Sequence, residues 1–450
     1  MESVEKPWTN LFSSFEIYKD SIAQNNLIQI PQISSGVNWL PLSNSIIEMI
    51  HAEINLGLLY RNYTAPYGIL PTCQVIKLYE CCLANTHYNT TSIKVAQCNG
   101  SAQGIATYMK VATSYYKKNR ILIVGSSYPI FYNQADIYQC EMIQCQSDDS
   151  SVPSAERVIH IINKEKPTII ILSLPNNPSG TCYSSADLDA ILTVADHIGA
   201  HVLIDRVGML VSNQHYMKDI SSVVKHYIEN GRVAVIDSLS KSESLAGYRL
   251  GHIFGSTALI NDFITEQQNM IMNPPTVLGL TIPLIFLSRI IMLQETPEKK
   301  LSYKKSASLF FKKSLKMIDD DSRDIILEKI NSDFISQFSD QYIINHQQNE
   351  ATMLANKHYA LAILKDEISF VSEHHAGMNF FIKIEKFKFM NERDVQRILA
   401  YTYNVFILTE RCFSISTSER SNFLIRLSIA MSTAEFSKGV DRLYQFIKTL

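Results

Sequence analysis

Short aliphatic runs alternate with amphipathic stretches through the middle of the chain. Ile93-Lys94-Val95-Ala96, Ile121-Leu122-Ile123-Val124, residues 168–174, His201-Val202-Leu203-Ile204, Val233-Ala234-Val235-Ile236 and residues 250–254 read as strands. The 168–174 run is almost continuous Ile and Leu, as expected of a strand covered on both faces in a parallel sheet. Helical spacing lies between these runs. Ile105, Ala106, Met109 and Ala112 follow the small-residue turn Asn99-Gly100-Ser101-Ala102-Gln103-Gly104. Ser184 and Asp187 form a capping box ahead of the stripe Leu188, Ile191, Leu192, Ala195 and Ile198, and Gly199 ends it. Strand, helix, strand at this spacing predicts βαβ units with right-handed crossovers. The expected fold class is α/β, a mostly parallel central sheet flanked by helices, with a smaller α+β domain after it.

The pattern also predicts boundaries. Residues 1–55 read as an N-terminal arm packing with the small domain and carrying one helix, whose face is Ile46, Ile47, Met49, Ile50 and Ile54 after a cap at Ser43 or Asn44. Residues 56–296 form the large domain, which includes a helix over 71–83 with Pro71 in its first turn. The most apolar window, 278–293, is interrupted by Pro283, Ser288 and Arg289, which predicts a buried helix and not a bilayer span. Residues 297–450 make the small domain. Lys299, Lys300, Lys304, Lys305, Lys312 and Lys313 suit solvated helix faces, a helical region follows over 319–360, and strands are expected over 378–384 and 423–429.

Composition narrows the function. A chain of 450 residues with 46% hydrophobic and 19% charged content has the make-up of a globular protein. A net charge of -2 offers no basic field for nucleic acid or an anionic membrane. The 8 cysteines are scattered without a CxxC pair, and no histidine and carboxylate spacing suggests a metal. Residues 1–10 lack the apolar core of a signal peptide, so a cytoplasmic setting with reduced thiols is expected.

Chemistry is expected at the strand ends, where open α/β sheets bind ligands. The turn after 93–96 would present backbone N–H groups at Gly100, Ser101 and Ala102 to an anion. Tyr128 follows the second strand, Asn177 lies in Pro175-Asn176-Asn177-Pro178-Ser179-Gly180, and Asp205 closes the strand at 201–204. The stretch Asp237-Ser238-Leu239-Ser240-Lys241-Ser242-Glu243-Ser244-Leu245-Ala246-Gly247-Tyr248-Arg249-Leu250-Gly251 opens from a strand into a polar loop, where Lys241 offers an amine nucleophile and Arg249 a fixed cation for a phosphorylated cofactor. Alone, that stretch is equally a solvated loop with a surface lysine. Five strand ends carrying such residues shift the balance toward a site.

The combination resembles the class I/II aminotransferases, fold-type I enzymes that use pyridoxal 5'-phosphate (PLP). The resemblance runs from about Tyr60 to the C-terminus and is most specific at Ser238-x-x-Lys241 followed by Gly247-x-Arg249-x-Gly251. It implies that Lys241 forms the internal aldimine and then serves as the base at Cα, and that Asp205 partners the pyridine nitrogen. It implies further that Asn177 donates to the ring's phenolic oxygen and Tyr128 stacks on the ring. Gly100, Ser101, Ala102, Ser238 and Arg249 would hold the phosphate, and Tyr63 would reach the phosphate of a neighbouring subunit in a homodimer. Arg426 would grip a substrate α-carboxylate, with an α-amino acid and a 2-oxo acid as the substrate pair.

One position departs from the family. A tyrosine commonly stands three residues after the aspartate, where this chain has Gly208 in Asp205-Arg206-Val207-Gly208. The departure leaves open another PLP-dependent outcome, catalysed by a lyase, a cyclase, a racemase or an oxidase, and a non-catalytic module on the same fold remains a third reading. Arg206 is a candidate to fill the gap. Substrate side-chain specificity is expected to draw on the segment around 273–280. His374 and His375 read as surface or capping residues, and Asp148 and Asp149 as part of a solvated loop.

Overall fold

The computed structural model describes residues 6–27, 30–55, 63–85, 91–147, 152–275, 277–315, 332–415 and 423–450. The strands are β1 (Ile93–Asn99), β2 (Arg120–Val124), β3 (Glu141–Cys145), β4 (Ile169–Ser173), β5 (His201–Asp205), β6 (Val233–Ser238), β7 (Leu250–Ser256), β8 (Ile368–Val371), β9 (Asn379–Ile384), β10 (Leu408–Thr409) and β11 (Leu424–Ser428). The chain divides into two compact units: Met1–Leu40, Tyr108–Leu210 and Glu350–Leu450 form one, and Pro41–Thr107 and Val211–Asn349 the other.

The first unit holds a parallel ladder in the order β5-β4-β2-β3, with Ile121 opposite Ile169 and Ile169 opposite His201. Every residue of β4 is buried, as its aliphatic run predicts. Ser184 accepts from the Asp187 N–H at the head of the helix Ser185–His197, which is the expected cap. An antiparallel sheet in the order β10-β11-β9-β8 lies in the same unit. Its core joins Phe380, Ile382, Ile425 and Leu427 to Val440 and Phe446.

Three strands escaped the sequence pattern. β3 is Glu-Met-Ile-Gln-Cys, a half-buried strand paired with β2, and its polar positions hide it. β8 and β10 have four and two residues, too short for a periodicity to register.

The N-terminal region also differs from expectation, with two helices, Pro7–Gln24 and Asn44–Asn55, in place of one. The buried face of the first is mostly polar: Asn10, Ser14 and Ser21 line it beside Ile17. Hydrogen bonds compensate for that burial. Asn10 donates to the Arg411 carbonyl at 3.3 Å and Ser14 shares hydrogen bonds with Gln396, while Phe15 stacks on Phe406. A hydrophobic pattern cannot reveal a helix that buries serines.

The second unit holds β1, β7 and β6, with β7 antiparallel to both neighbours, so that Ala96 faces Ile253 and Val235 faces Phe254. The helices Leu70–Leu83 and Thr281–Met292 stand where expected, and Thr281 through Ile291 are all buried. The predicted helical region over 319–360 corresponds to Ser332–Ile363 in its described part; 319–331, and the loop at Asp148 and Asp149, lie outside the described residues.

Candidate active site

In the first unit, Arg426 sits in the middle of β11, opposite Phe381 on one side and Leu408 on the other. It is only 4% exposed. Its Nη1 donates to Asn177 Oδ1 at 2.9 Å, its Nε donates to the Ser34 carbonyl at 3.1 Å, and its Nη2 donates to the same carbonyl. The guanidinium lies over the Phe413 ring, 4.5 Å from its centroid. Both acceptors are neutral. Burial lowers the Arg426 pKa to about 10 against the opposing pull of Cys412 and Tyr128.

Asn177 is thereby oriented, since its amide oxygen is engaged by Arg426 and its NH2 is left to face another acceptor. The turn that carries it is knit to the segment holding His374 and His375. His375 N–H and Ala376 N–H both donate to the Gly180 carbonyl, and the Cys182 N–H donates to His375 Nδ1 at 3.1 Å. His374 Nδ1 accepts from Lys357 at 3.2 Å while its Nε2 faces the Gly377 carbonyl. Burial pushes His374 down to about 4, so the ring is neutral in this packing role. Asp205 closes β5, is 7% exposed, and accepts from the Val207 N–H at 3.0 Å. Gly208 beyond it is packed by Pro175: a Cβ there would meet Pro175 Cγ at 3.3 Å. Arg206 is 1% exposed. Tyr128 stands ahead of the helix Pro129–Ile137 with its ring edge-on to Phe131.

In the second unit, β1 runs into the helix Gly100–Ser114, whose first N–H groups have no partner within the helix. Arg249, at φ +55°, lays its guanidinium against Gly100: a Cβ on Gly100 would sit 2.5 Å from Arg249 Nη2. One on Gly251 would sit 2.7 Å from the Gly100 carbonyl carbon and 2.8 Å from the Ser101 nitrogen. Only glycine at these two places lets β7 and the arginine approach the helix end so closely.

Lys241 is half-buried in a helical turn, Leu239–Ser242, where the sequence suggested a loop. Ser238 closes β6 and caps that turn by accepting from the Ser240 N–H at 3.3 Å. The Glu243 and Leu245 N–H groups bond back to the Leu239 carbonyl. Behind the turn is a buried polar cluster. Glu243 accepts from Arg289 Nη2 at 2.7 Å and from the Tyr342 hydroxyl at 2.5 Å, with His346 Nε2 at 3.2 Å. Arg289 also donates to Ser242 Oγ at 2.7 Å and to the Tyr342 hydroxyl at 3.1 Å. Burial works against the Glu243 carboxylate, yet the charges of His346 and Arg289 hold its pKa well below the usual range.

Within the first unit the structure joins Asn177 to Arg426, and within the second it joins Gly100 to Arg249 and Ser238 to the turn of Lys241. Tyr63 is 92% exposed. Sequence reasoning passed over Ser34, Phe413 and the Glu243 cluster. The one available signal was Arg289, a charge inside the most apolar window of the chain, which implies a buried partner.

The class of protein follows from this fold and these residues: the chain belongs to the family of class I and II aminotransferases, whose model matches residues 33–321, well over half of its length. That family is PLP-dependent. Among its relatives, a histidinol-phosphate aminotransferase of Chlorobium limicola is 30% identical over 166 residues, covering 37% of this chain and 44% of the relative. An aspartate aminotransferase of Thermococcus kodakarensis is 24% identical over 241 residues, covering 54% of this chain and 58% of the relative. The matches thus span about half the length of these curated relatives. Among solved structures, an aminotransferase from Mycobacterium tuberculosis superposes with a TM-score of 0.72 at 15% identity over 98% of this chain and 97% of that one. An aspartate aminotransferase double mutant of Thermus thermophilus gives 0.68 at 12% identity over 96% of both chains. The fold is therefore the aminotransferase fold that the resemblance implies, and its α/β class is the one expected from the hydrophobic pattern.

Proposed function

We propose that this protein is an aminotransferase that moves an amino group between an α-amino acid and a 2-oxo acid with PLP attached to Lys241. The observation that carries the reading is the second unit's own set of residues: Arg249 pressed onto Gly100 at a helix N-terminus, with Ser238 capping the turn of Lys241. A cation, a hydroxyl and unpaired helix N–H groups suit a phosphate, and a primary amine suits an aldehyde. The first unit adds the buried carboxylate of Asp205, suited to a protonated ring nitrogen, and the cation of Arg426, suited to a substrate carboxylate.

Bound there, PLP supplies an electron sink for the pair released at the substrate Cα. The rest falls to this chain. Asp205 would hold the proton on the ring nitrogen, and the Lys241 amine would serve as the base that takes the proton from the substrate Cα. Asn177, whose carbonyl oxygen is occupied by Arg426, would offer its NH2 to the ring's phenolic oxygen. Arg426 meets the carboxylate with two parallel N–H groups once the Ser34 carbonyl yields them. Tyr128 would cover the ring, Ser101 and Ala102 would add N–H donors to the phosphate, and Tyr63, which is exposed, would serve the neighbouring subunit of a homodimer. All eight cysteines are free thiols, which suits the cytoplasm.

The names of the relatives make histidinol phosphate and aspartate the first amino donors to try. The test is optical. Adding a donor should convert the cofactor to its amine form, a 2-oxo acid should reverse the change, and Lys241→Ala should lose both the visible band and turnover. Retained turnover in that variant would overturn the reading. Gly208 favours a second one, in which the same residues release or rearrange the substrate, and there the cofactor would return to its starting form without a 2-oxo acid.

A further inference from the structure

The cluster behind Lys241 has no place in the reaction just described, yet it grips the two residues that follow the lysine. Ser242 Oγ accepts from Arg289, and the Glu243 carboxylate is held by Arg289, Tyr342 and His346. The side chains of Glu243 and Arg289 are 1% and 2% exposed. Arg289 is enclosed further by aromatic faces, with Phe286 at 4.9 Å and Tyr79 at 5.9 Å from its centre. Three polar side chains from two helices of the second unit, Arg289 from Thr281–Met292 and Tyr342 and His346 from Ser332–Ile363, are thus committed to one short turn. A turn of four residues has almost no stability of its own.

We propose that Glu243 and Arg289 are positioning residues that fix the turn of Lys241 and so set the direction from which its amine meets the cofactor. The inference rests on reading Lys241 as the cofactor-bearing lysine. Its geometric content is that the backbone of the turn is clamped from both sides. Ser238 and the Leu239 carbonyl hold the start, and the Arg289 fork holds Ser242 and Glu243 at the end. Arg289 reaches the Ser242 hydroxyl and the Glu243 carboxylate through the same nitrogen, so the backbone cannot rotate without breaking both bonds. A free turn would let the amine sample several rotations about the chain, and the strain and orientation of its bond to the cofactor would be averaged out.

The test uses the full-length protein loaded with PLP, in wild-type form, as Glu243→Gln, and as the double variant Glu243→Leu with Arg289→Met. The double variant removes both charges together. A change it shows cannot come from a stranded Arg289 guanidinium or Glu243 carboxylate, and apolar replacement of a buried pair preserves the fold better than removal of one partner. Three measurements are made: the thermal midpoint of the cofactor-free protein, the pH at which the visible band of the Lys241-bound cofactor changes colour, and the rate at which hydroxylamine displaces Lys241.

The expected result is a shift of the colour midpoint by about one pH unit or more, with a tenfold or greater change in the hydroxylamine rate, in both variants, including a double variant whose thermal midpoint matches the wild type. An unchanged colour midpoint and displacement rate in both variants, whatever their thermal midpoints, would reduce the cluster to a structural staple and overturn the inference. The two readings fail separately. If borohydride reduction of the wild type attaches no cofactor to Lys241, the functional reading falls and takes this inference with it. If it labels Lys241 and the variants behave as wild type, the inference alone falls.

Discussion

Arg426 and Arg289 are buried to nearly the same extent, 4% and 2% exposed, and their surroundings are opposite. Arg289 meets a carboxylate, so its charge is matched within the fold, and its pKa stands above the ordinary value even though burial works against it. Arg426 meets a peptide carbonyl and an amide oxygen, and burial lowers its pKa. Burying a guanidinium on neutral acceptors costs stability, and a fold keeps such a residue where an anion arrives later. Exposure alone does not distinguish a structural charge from a receiving one; the partner does.

The contrast breaks most visibly if Arg426 is removed. Arg426→Met should leave the unfolding free energy unchanged or slightly higher, because an uncompensated charge is replaced by an apolar chain of similar reach. Activity should collapse. Two charge-assisted hydrogen bonds at about 1.5 to 3 kcal/mol each correspond to a loss of roughly 10² to 10⁴ in kcat/KM. Denaturant unfolding beside steady-state kinetics checks both halves, and a large stability loss would show that Arg426 is structural after all.

Arg289→Met should behave in reverse. It strands the buried Glu243 carboxylate, whose other partners are Tyr342 and His346, and so should destabilise by about 3 to 5 kcal/mol. Restoring the match with Glu243→Leu should recover much of that loss in the same denaturant titration. If the single variant loses less than about 1 kcal/mol, the cluster is not the compensated pair described.

The same difference explains what was legible in the sequence. The strands of the parallel ladder and the capped helix Ser185–His197 were readable because burial there is apolar, and apolar burial leaves a period. The helix Pro7–Gln24 was not, because Asn10, Ser14 and Ser21 fill its buried face and find partners far along the chain. Among the proposed site residues, Lys241, Arg249 and Asn177 stand in local motifs that carry their own signal. Ser34 reaches Arg426 from 392 residues away, and Tyr342 reaches Glu243 across 99 residues. Such pairings are set by folding, and no window on the sequence contains them.

Glu53 extends the comparison to an anion without a cation. It is fully buried, its Oε1 accepts from the Leu280 and Thr281 N–H groups at the head of the helix Thr281–Met292, and its Oε2 has no partner among the described residues. Burial pushes its pKa up to about 7, the opposite of Glu243. The sign follows from proton binding: between the ordinary value of 4.5 and about 7 the folded state holds the proton and the unfolded state releases it. Stability should therefore fall as pH rises through that window, by up to roughly 3 kcal/mol in total. Glu53→Gln should flatten that slope in urea titrations between pH 4.5 and 8. An unchanged slope would place the titration elsewhere.

The smallest expected effect lies at Gly208, in the unit of Arg426. If the surroundings of Arg426 serve a ligand and those of Arg289 serve the fold, a change beside Asp205 should alter the cofactor before it alters stability. Gly208 has no φ in the left-handed region, and a Cβ there would meet Pro175 Cγ at 3.3 Å and the Pro175 carbonyl at 3.6 Å. One methyl group should fit with a small adjustment of the proline ring, so Gly208→Ala should cost no more than about 1 kcal/mol in denaturant unfolding. The visible band of the bound cofactor should shift in position or in its pH dependence, because the methyl group is set three residues from Asp205. A stability loss well beyond 1 kcal/mol with an unchanged spectrum would show that Gly208 is a packing position, and that the tyrosine common in the family is missing for lack of room.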